Sequence, residues 1–176
     1  LRDEPLSNVV NGLGRGWPVT TFVLMNEGAS IGTTSHGRLR VADLVADAVA
    51  SGRIEEPVAR EKLGAGYVEE RVLELLQARL KGAILDGRRP DVDGSVLKVF
   101  TAESGHRKAE LAAWLQGADA LLGGHDAPQE GRWQDSLLGR GATTVGGGTV
   151  EVHLNGLGER ALGLPKEPRF DRDRPF

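Results

Sequence analysis

Apolar side chains recur every three or four residues along most of this chain, and strand-like alternation is scarce. That period puts them on one stripe of an α-helix and argues against a sheet. Val19, Phe22 and Val23, then Leu39, Val41, Leu44, Val45, Ala48 and Val49, lead to the breaker Ser51-Gly52. They predict a helix over 18–50, on the order of 50 Å long at 1.5 Å per residue. Pro18 suits its first turn, where the missing N–H costs nothing. Gly28, Gly32 and Gly37 are poor helix formers, so a bend or close helix contact is expected near them. A second helix, 56–85, starts at Glu56-Pro57 with the stripe Tyr67, Val68, Val72, Leu75, Leu76, Leu80 and Ile84. The stretch 86–91 is rich in breakers and reads as a loop. Gly94-Ser95 offers a cap for a third helix, 95–122, whose buried face reads Leu97, Phe100, Leu111, Trp114, Leu115, Ala118, Leu121 and Leu122.

A Gly-rich connector (123–131) and a short helix near 133–143 precede a last helix at 149–162. Long amphipathic helices joined by short loops make an all-α, antiparallel four-helix bundle with short extra C-terminal helices. Phe100, Leu115, Val72 and Leu76 are expected in its core. The expected division is a linker at 1–16, the bundle at 17–165 and an irregular tail at 166–176.

Composition narrows the function classes. The chain has 176 residues, enough for one domain with a real core. A net charge of −3 suggests no general affinity for nucleic acid. Cysteine is absent, so there is no disulfide, thiolate metal site or thiol nucleophile, which fits a reducing compartment such as the cytoplasm. No apolar run approaches the roughly 20 residues of a membrane span, and no signal peptide is visible. His36, His106, His125 and His153 lack metal-ligand spacing and read as structural or surface residues, so no metal is expected. Ser35-His36 and Ser104-Gly105-His106 lack the strand-turn-helix setting of a nucleophile elbow. Trp17, Trp114 and Trp133 read as core or interface anchors.

The densest motif lies near the end: Gly146-Gly147-Gly148-Thr149-Val150-Glu151, then Asn155-Gly156-Leu157-Gly158-Glu159-Arg160 and Leu162-Gly163-Leu164-Pro165. The glycines permit positive φ or a close backbone approach. Thr149 can cap the helix that follows, whose N-terminal amides favour an anion. Taken alone, the same residues also describe a flexible turn before a capped helix.

This segment resembles the C-terminal signature of the acyl-CoA dehydrogenase family: a Gly-Gly-Thr-x-Glu-Ile element, an Asn-x-x-Gly-Glu-Arg helix and a Leu-Gly-Leu-Pro stop. Gly14-Arg15-Gly16-Trp17, leading to Asn26-Glu27, resembles the start of the same family's last domain. The resemblance covers residues 7 to about 168 and implies the C-terminal four-helix bundle of a flavoenzyme. Family members carry a helical and a β-barrel-like domain ahead of this point, so the chain reads as one domain of a longer protein. FAD is the implied cofactor and an acyl-CoA the implied substrate. The implied partners are homo- or hetero-oligomer subunits and an electron-transfer flavoprotein or similar acceptor. No nucleic acid and no membrane are expected. The domain by itself is expected to hold no flavin tightly and to self-associate through bundle faces.

Oxidation of the acyl α,β bond needs a carboxylate for the α-proton. The family places this base either just before the Gly-Thr of the C-terminal motif, which here is Gly147, or in a Leu-x-x-Glu-Arg pattern on the first helix. Leu24-Met25-Asn26-Glu27-Gly28 matches the second pattern, so Glu27 is the candidate catalytic base. The alternative is a solvated helix glutamate. Gly148, Thr149 and Glu151 are the candidate cofactor-binding residues. The family's Arg-x-x-Phe-Gly element is missing; Arg53 is the only cation in the corresponding stretch. A Gln ahead of Phe-Gly-Gly is replaced by Ala120-Leu121-Leu122-Gly123-Gly124. These departures resemble divergent actinobacterial members built from paired, unlike subunits, only some of which hold flavin. Two functions stay open: a catalytic acyl-CoA dehydrogenase domain, and a non-catalytic partner subunit that scaffolds assembly. An unrelated helical interaction module is a third reading.

Overall fold

The computed structural model describes residues 9–31, 40–88, 91–166 and 168, with the side chains at 24–31 and 91 outside that description. Among the described residues every regular element is helical: α1 (Gly16–Ile31), α2 (Val41–Ala50), α3 (Pro57–Leu85), α4 (Asp91–Gln116), α5 (Arg132–Gly139), α6 (Ala142–Val145) and α7 (Val150–Arg160), with short 3₁₀ turns between them. The all-α class expected from the spacing is what the chain adopts.

The α3–α4 hairpin is the spine. Pro57 opens α3 at a first-turn position that needs no N–H donor. The helix stops in a Schellman motif: Gly87 takes φ 73°, its N–H bonds the Ile84 carbonyl at 3.0 Å, and the Arg88 N–H bonds the Ala83 carbonyl at 2.9 Å. The partners across the hairpin run antiparallel. Arg79 pairs with Asp93, Glu69 with Arg107 and Glu70 with Lys108.

Two apolar clusters hold the hairpin and its neighbours. Leu73 and Leu80 of α3 meet Leu97 of α4 near the connection, with Leu76 and Phe100 packed against them. At the other end Ala59 and Leu63 of α3 meet Ala109, Leu111, Ala112 and Leu115 of α4, with Leu44 and Ala48 of α2 and Trp133 of α5. Each fully buried Leu there is worth about 1.5–3 kcal/mol relative to exposure. Glu70 also accepts the Val41 N–H, fixing the start of α2 on α3. α7 packs against α4, and α1 touches α4.

Four expectations are corrected. Helix 18–50 is not continuous: Arg40 is extended, at φ −99° and ψ 138°, so α2 starts afresh at Val41, while 32–39 lie outside the described residues. The third helix starts at Asp91 rather than Ser95, since Asp91 and Asp93 favour a helix N-terminus, and Ser95 is buried within it. Leu115 is buried and Leu76 and Phe100 are partly buried, but Val72 is 36% exposed. The reason is that α3 turns a stripe of Ala59, Leu63, Gly66, Leu73, Leu80 and Ala83 inward, leaving Tyr67, Val68 and Leu75 exposed. Leu121, expected on the buried face of the third helix, is 90% exposed because α4 gives way to a 3₁₀ turn at Gly117; Trp17, read as a core or interface anchor, lies outside the core at 80% exposure.

Candidate functional site

The glycine turn between α6 and α7 is folded tightly onto α4. The Gly146 N–H closes α6 on the Ala142 carbonyl at 2.9 Å. Gly147 and Gly148 then take φ 71° and 97°, the left-handed region that glycine enters without strain. Thr149 returns to extended backbone as the N-cap of α7, and its Oγ1 accepts the Val152 N–H at 3.3 Å.

Glu151, in the first turn of α7, is fully exposed, yet its carboxyl is held below the usual carboxylate range. The chief cause is a hydrogen bond from its own backbone N–H, the next one from the Thr149 hydroxyl; desolvation pulls weakly the other way. The anion favoured at this helix start is therefore supplied by the chain itself. Gly148, Thr149 and Glu151, the three expected cofactor contacts, form one contiguous surface. The one charge among them, on Glu151, is negative and exposed.

Three further residues hold this turn: Lys98, which the sequence reading did not single out, His153, read as structural or surface, and Ser95, read as a helix cap. Lys98 is buried on α4, and its ammonium donates to the carbonyls of Thr143 and Gly146. The His153 Nε2 lies 3.0 Å from the Gly147 carbonyl, and its Nδ1 lies 3.2 Å from Ser95 Oγ. A carbonyl only accepts, so Nε2 carries the proton donated to Gly147. The usable signal was the spacing of Ser95 and Lys98, which puts both on one helix face.

Glu27 lies in α1, and its side chain is outside the described residues. Arg53 is committed elsewhere. It donates to the Trp114 carbonyl and, at 3.0 Å, to the Leu115 carbonyl, stacks 4.2 Å from the Trp114 ring, and pairs with Glu56 at 3.0 Å. It therefore caps the last carbonyls of α4. His106 Nε2 donates to the Arg140 carbonyl at 3.0 Å, a structural role. Among the described residues no three His, Asp or Glu gather into a metal-binding group. No described helix is long and apolar enough to cross a membrane.

Comparison with known proteins agrees with this architecture. Residues 14–162 match the family model "Acyl-CoA dehydrogenase, C-terminal domain". The acyl-CoA dehydrogenase IpdE1 of Mycolicibacterium smegmatis is 30% identical over 90% of this chain and 39% of its own length. IpdE1 of Mycobacterium tuberculosis is 27% identical over 92% of this chain and 41% of its own. The chain thus spans about two fifths of these curated relatives. Among solved structures, a variant of the Tcur3481-Tcur3483 steroid ACAD superposes with a TM-score of 0.82 at 24% identity, over 93% of this chain and 44% of the other. The ChsE4-ChsE5 complex from Mycobacterium tuberculosis gives 0.59 at 26% identity, over 85% and 37%.

Proposed function

Because this chain belongs to the acyl-CoA dehydrogenase family as its C-terminal domain, we propose that it serves the FAD-dependent α,β-dehydrogenation of an acyl-CoA thioester, with Glu27 as the general base. The observation that carries this reading is the built glycine turn, with Thr149 capping α7 and Glu151 beside it. These groups fit the flavin dinucleotide at its hydroxyl and ring N–H donors. Gly148, Thr149 and Glu151 would hold it there, and the exposed carboxylate would keep its phosphates away. Bound FAD supplies the hydride acceptor for the β-carbon. Glu27 takes the proton from the α-carbon, a transfer that needs its carboxylate free and within hydrogen-bond reach.

The working enzyme on this reading is a hetero-oligomer in the cytoplasm that passes electrons to an electron-transfer flavoprotein or similar acceptor. The 26% identity to one member of a two-component complex supports the unlike partner. Two observations favour a second reading, a partner subunit without its own flavin. Arg53 is bound to the end of α4, so it cannot stand in for the arginine of the family's Arg-x-x-Phe-Gly element, which this sequence lacks. Gly147 occupies the alternative base position.

The test uses the full-length protein and its co-expressed partner, with straight-chain and steroid-side-chain thioesters. Glu27→Gln is expected to lower turnover about 10²–10⁴-fold while the preparation keeps its yellow flavin spectrum. Thr149→Ala is expected to weaken flavin retention. Near wild-type turnover for Glu27→Gln sinks the assignment of the base, and a colourless full-length chain establishes the partner-subunit reading.

A further inference from the structure

We propose that Lys98 and His153 are positioning residues for the cofactor-contacting turn: they select the one backbone conformation of 146–148 that sets where Thr149 and the start of α7 present their polar groups. This rests on the reading that Thr149 and Glu151 contact the flavin.

Consecutive glycines have the largest backbone freedom to lose, so a fixed glycine turn needs an external cause. Apolar burial does not supply it, because α7 contains no buried residue. The fixing contacts are polar and fall on two successive carbonyls, those of Gly146 and Gly147. Lys98 takes the Gly146 carbonyl, and the same ammonium takes the Thr143 carbonyl, tying the end of α6 to the turn. His153 takes the Gly147 carbonyl. The imidazole also fills the space beside Gly148, where an added Cβ would lie 3.0 Å from Nε2.

Both anchors return to one face of α4. Lys98 is on that helix, and His153 is steadied by Ser95, three residues before it. Lys98 and the Ser95 that steadies His153 are both withdrawn from solvent, each 5% exposed. An ammonium taken that far out of water must be matched to acceptors, and here two of them are the carbonyls of Thr143, just before the turn, and Gly146, at its start. The fixed outcome is local. Thr149 follows directly, and its hydroxyl serves both Val152 and Glu151. A shift of the turn therefore moves all three candidate contacts together.

The test is flavin affinity in the full-length enzyme. Lys98→Met keeps the length and removes the donor. His153→Asn withdraws the donor by about one bond length, whereas His153→Gln keeps an N–H near the Nε2 position. Lys98→Met and His153→Asn are expected to raise the flavin Kd about 10–100-fold, as two to three lost charge-assisted or buried bonds would, with the helical circular dichroism kept. His153→Gln is expected to stay close to wild type. If Lys98→Met fails to fold, the His153 pair decides alone. Unchanged flavin affinity and absorption spectrum in His153→Asn and in any folded Lys98→Met, whatever happens to the melting temperature, overturns the proposal. So does His153→Gln binding as poorly as His153→Asn. Thr149→Ala measured alongside separates the two readings: unchanged retention there refutes the cofactor contact itself. Weakened retention there, with wild-type affinity in the Lys98 and His153 variants, refutes only the positioning role.

Discussion

The two ends of the α3–α4 hairpin hold the helices that join them by different forces. Where α2 and α5 join, Leu44, Ala48, Ala59, Leu63, Ala112 and Trp133 are all nearly inaccessible, and partly buried and exposed polar pairs rim that packing. Asp47 of α2 accepts Trp133 Nε1 at 2.7 Å and Gln129 Nε2 at 2.6 Å, and Asp43 pairs with Arg132 at 2.9 Å. Where α7 joins, no α7 residue is buried, and Val152 and Leu154 remain exposed. Lys98 and His153 fix that end through backbone carbonyls. The first end is built as a foundation. The second is built as a surface, with defined polar geometry and apolar side chains left for something else to cover.

The comparison breaks first at Trp133. Trp133→Ala is expected to cost about 3–5 kcal/mol, since it opens a cavity and strips Asp47 of a donor. Urea melts of the isolated chain measure it, and a loss below about 1 kcal/mol would put the foundation elsewhere. Arg53→Met tests the polar part of the same end. It leaves the Trp114 and Leu115 carbonyls without their cation and is expected to cost about 1–3 kcal/mol in the same melts.

At the open end the expected effect is smallest and depends on pH. The Glu151 carboxyl is depressed below its ordinary value of 4.5, so the folded state favours its anion. That contribution is fully present above the ordinary value and is lost as pH falls through the lowered one. Glu151→Gln is therefore expected to lower the melting temperature slightly at neutral pH. The gap from wild type should close as the solution is acidified below 4.5. A gap that widens on acidification contradicts the assigned hydrogen bonds. Because the side chain is fully exposed, the whole effect stays well under that of Trp133→Ala.

What the sequence disclosed follows the same division. The start of α3 at Pro57 and the cap of α7 at Thr149 are local signals, written in the residues that perform them. The buried face of α3 was not legible by apolar strength. Its inward residues include Ala59, Gly66 and Ala83, small groups that let α4 approach, whereas the bulkier Tyr67, Val68 and Leu75 lie outside. The candidate site was half legible. Gly148, Thr149 and Glu151 are contiguous in sequence and in space. Lys98 lies about fifty residues upstream, and only the fold makes its charge a reagent for the turn. Arg53 illustrates the converse: the one cation in the stretch 46–56, spent on closing α4.

Gly148 and His153 also constrain how this sequence can drift. The left-handed φ of 97° and the 3.0 Å approach of the imidazole act on the same atom position. A side chain gained at 148 would collide with the ring and strain the backbone at once, and a smaller residue at 153 would relieve only the collision. The two positions therefore change under one shared constraint, five residues apart, with the backbone as the stricter partner. A lineage could shed the histidine before it could shed the glycine.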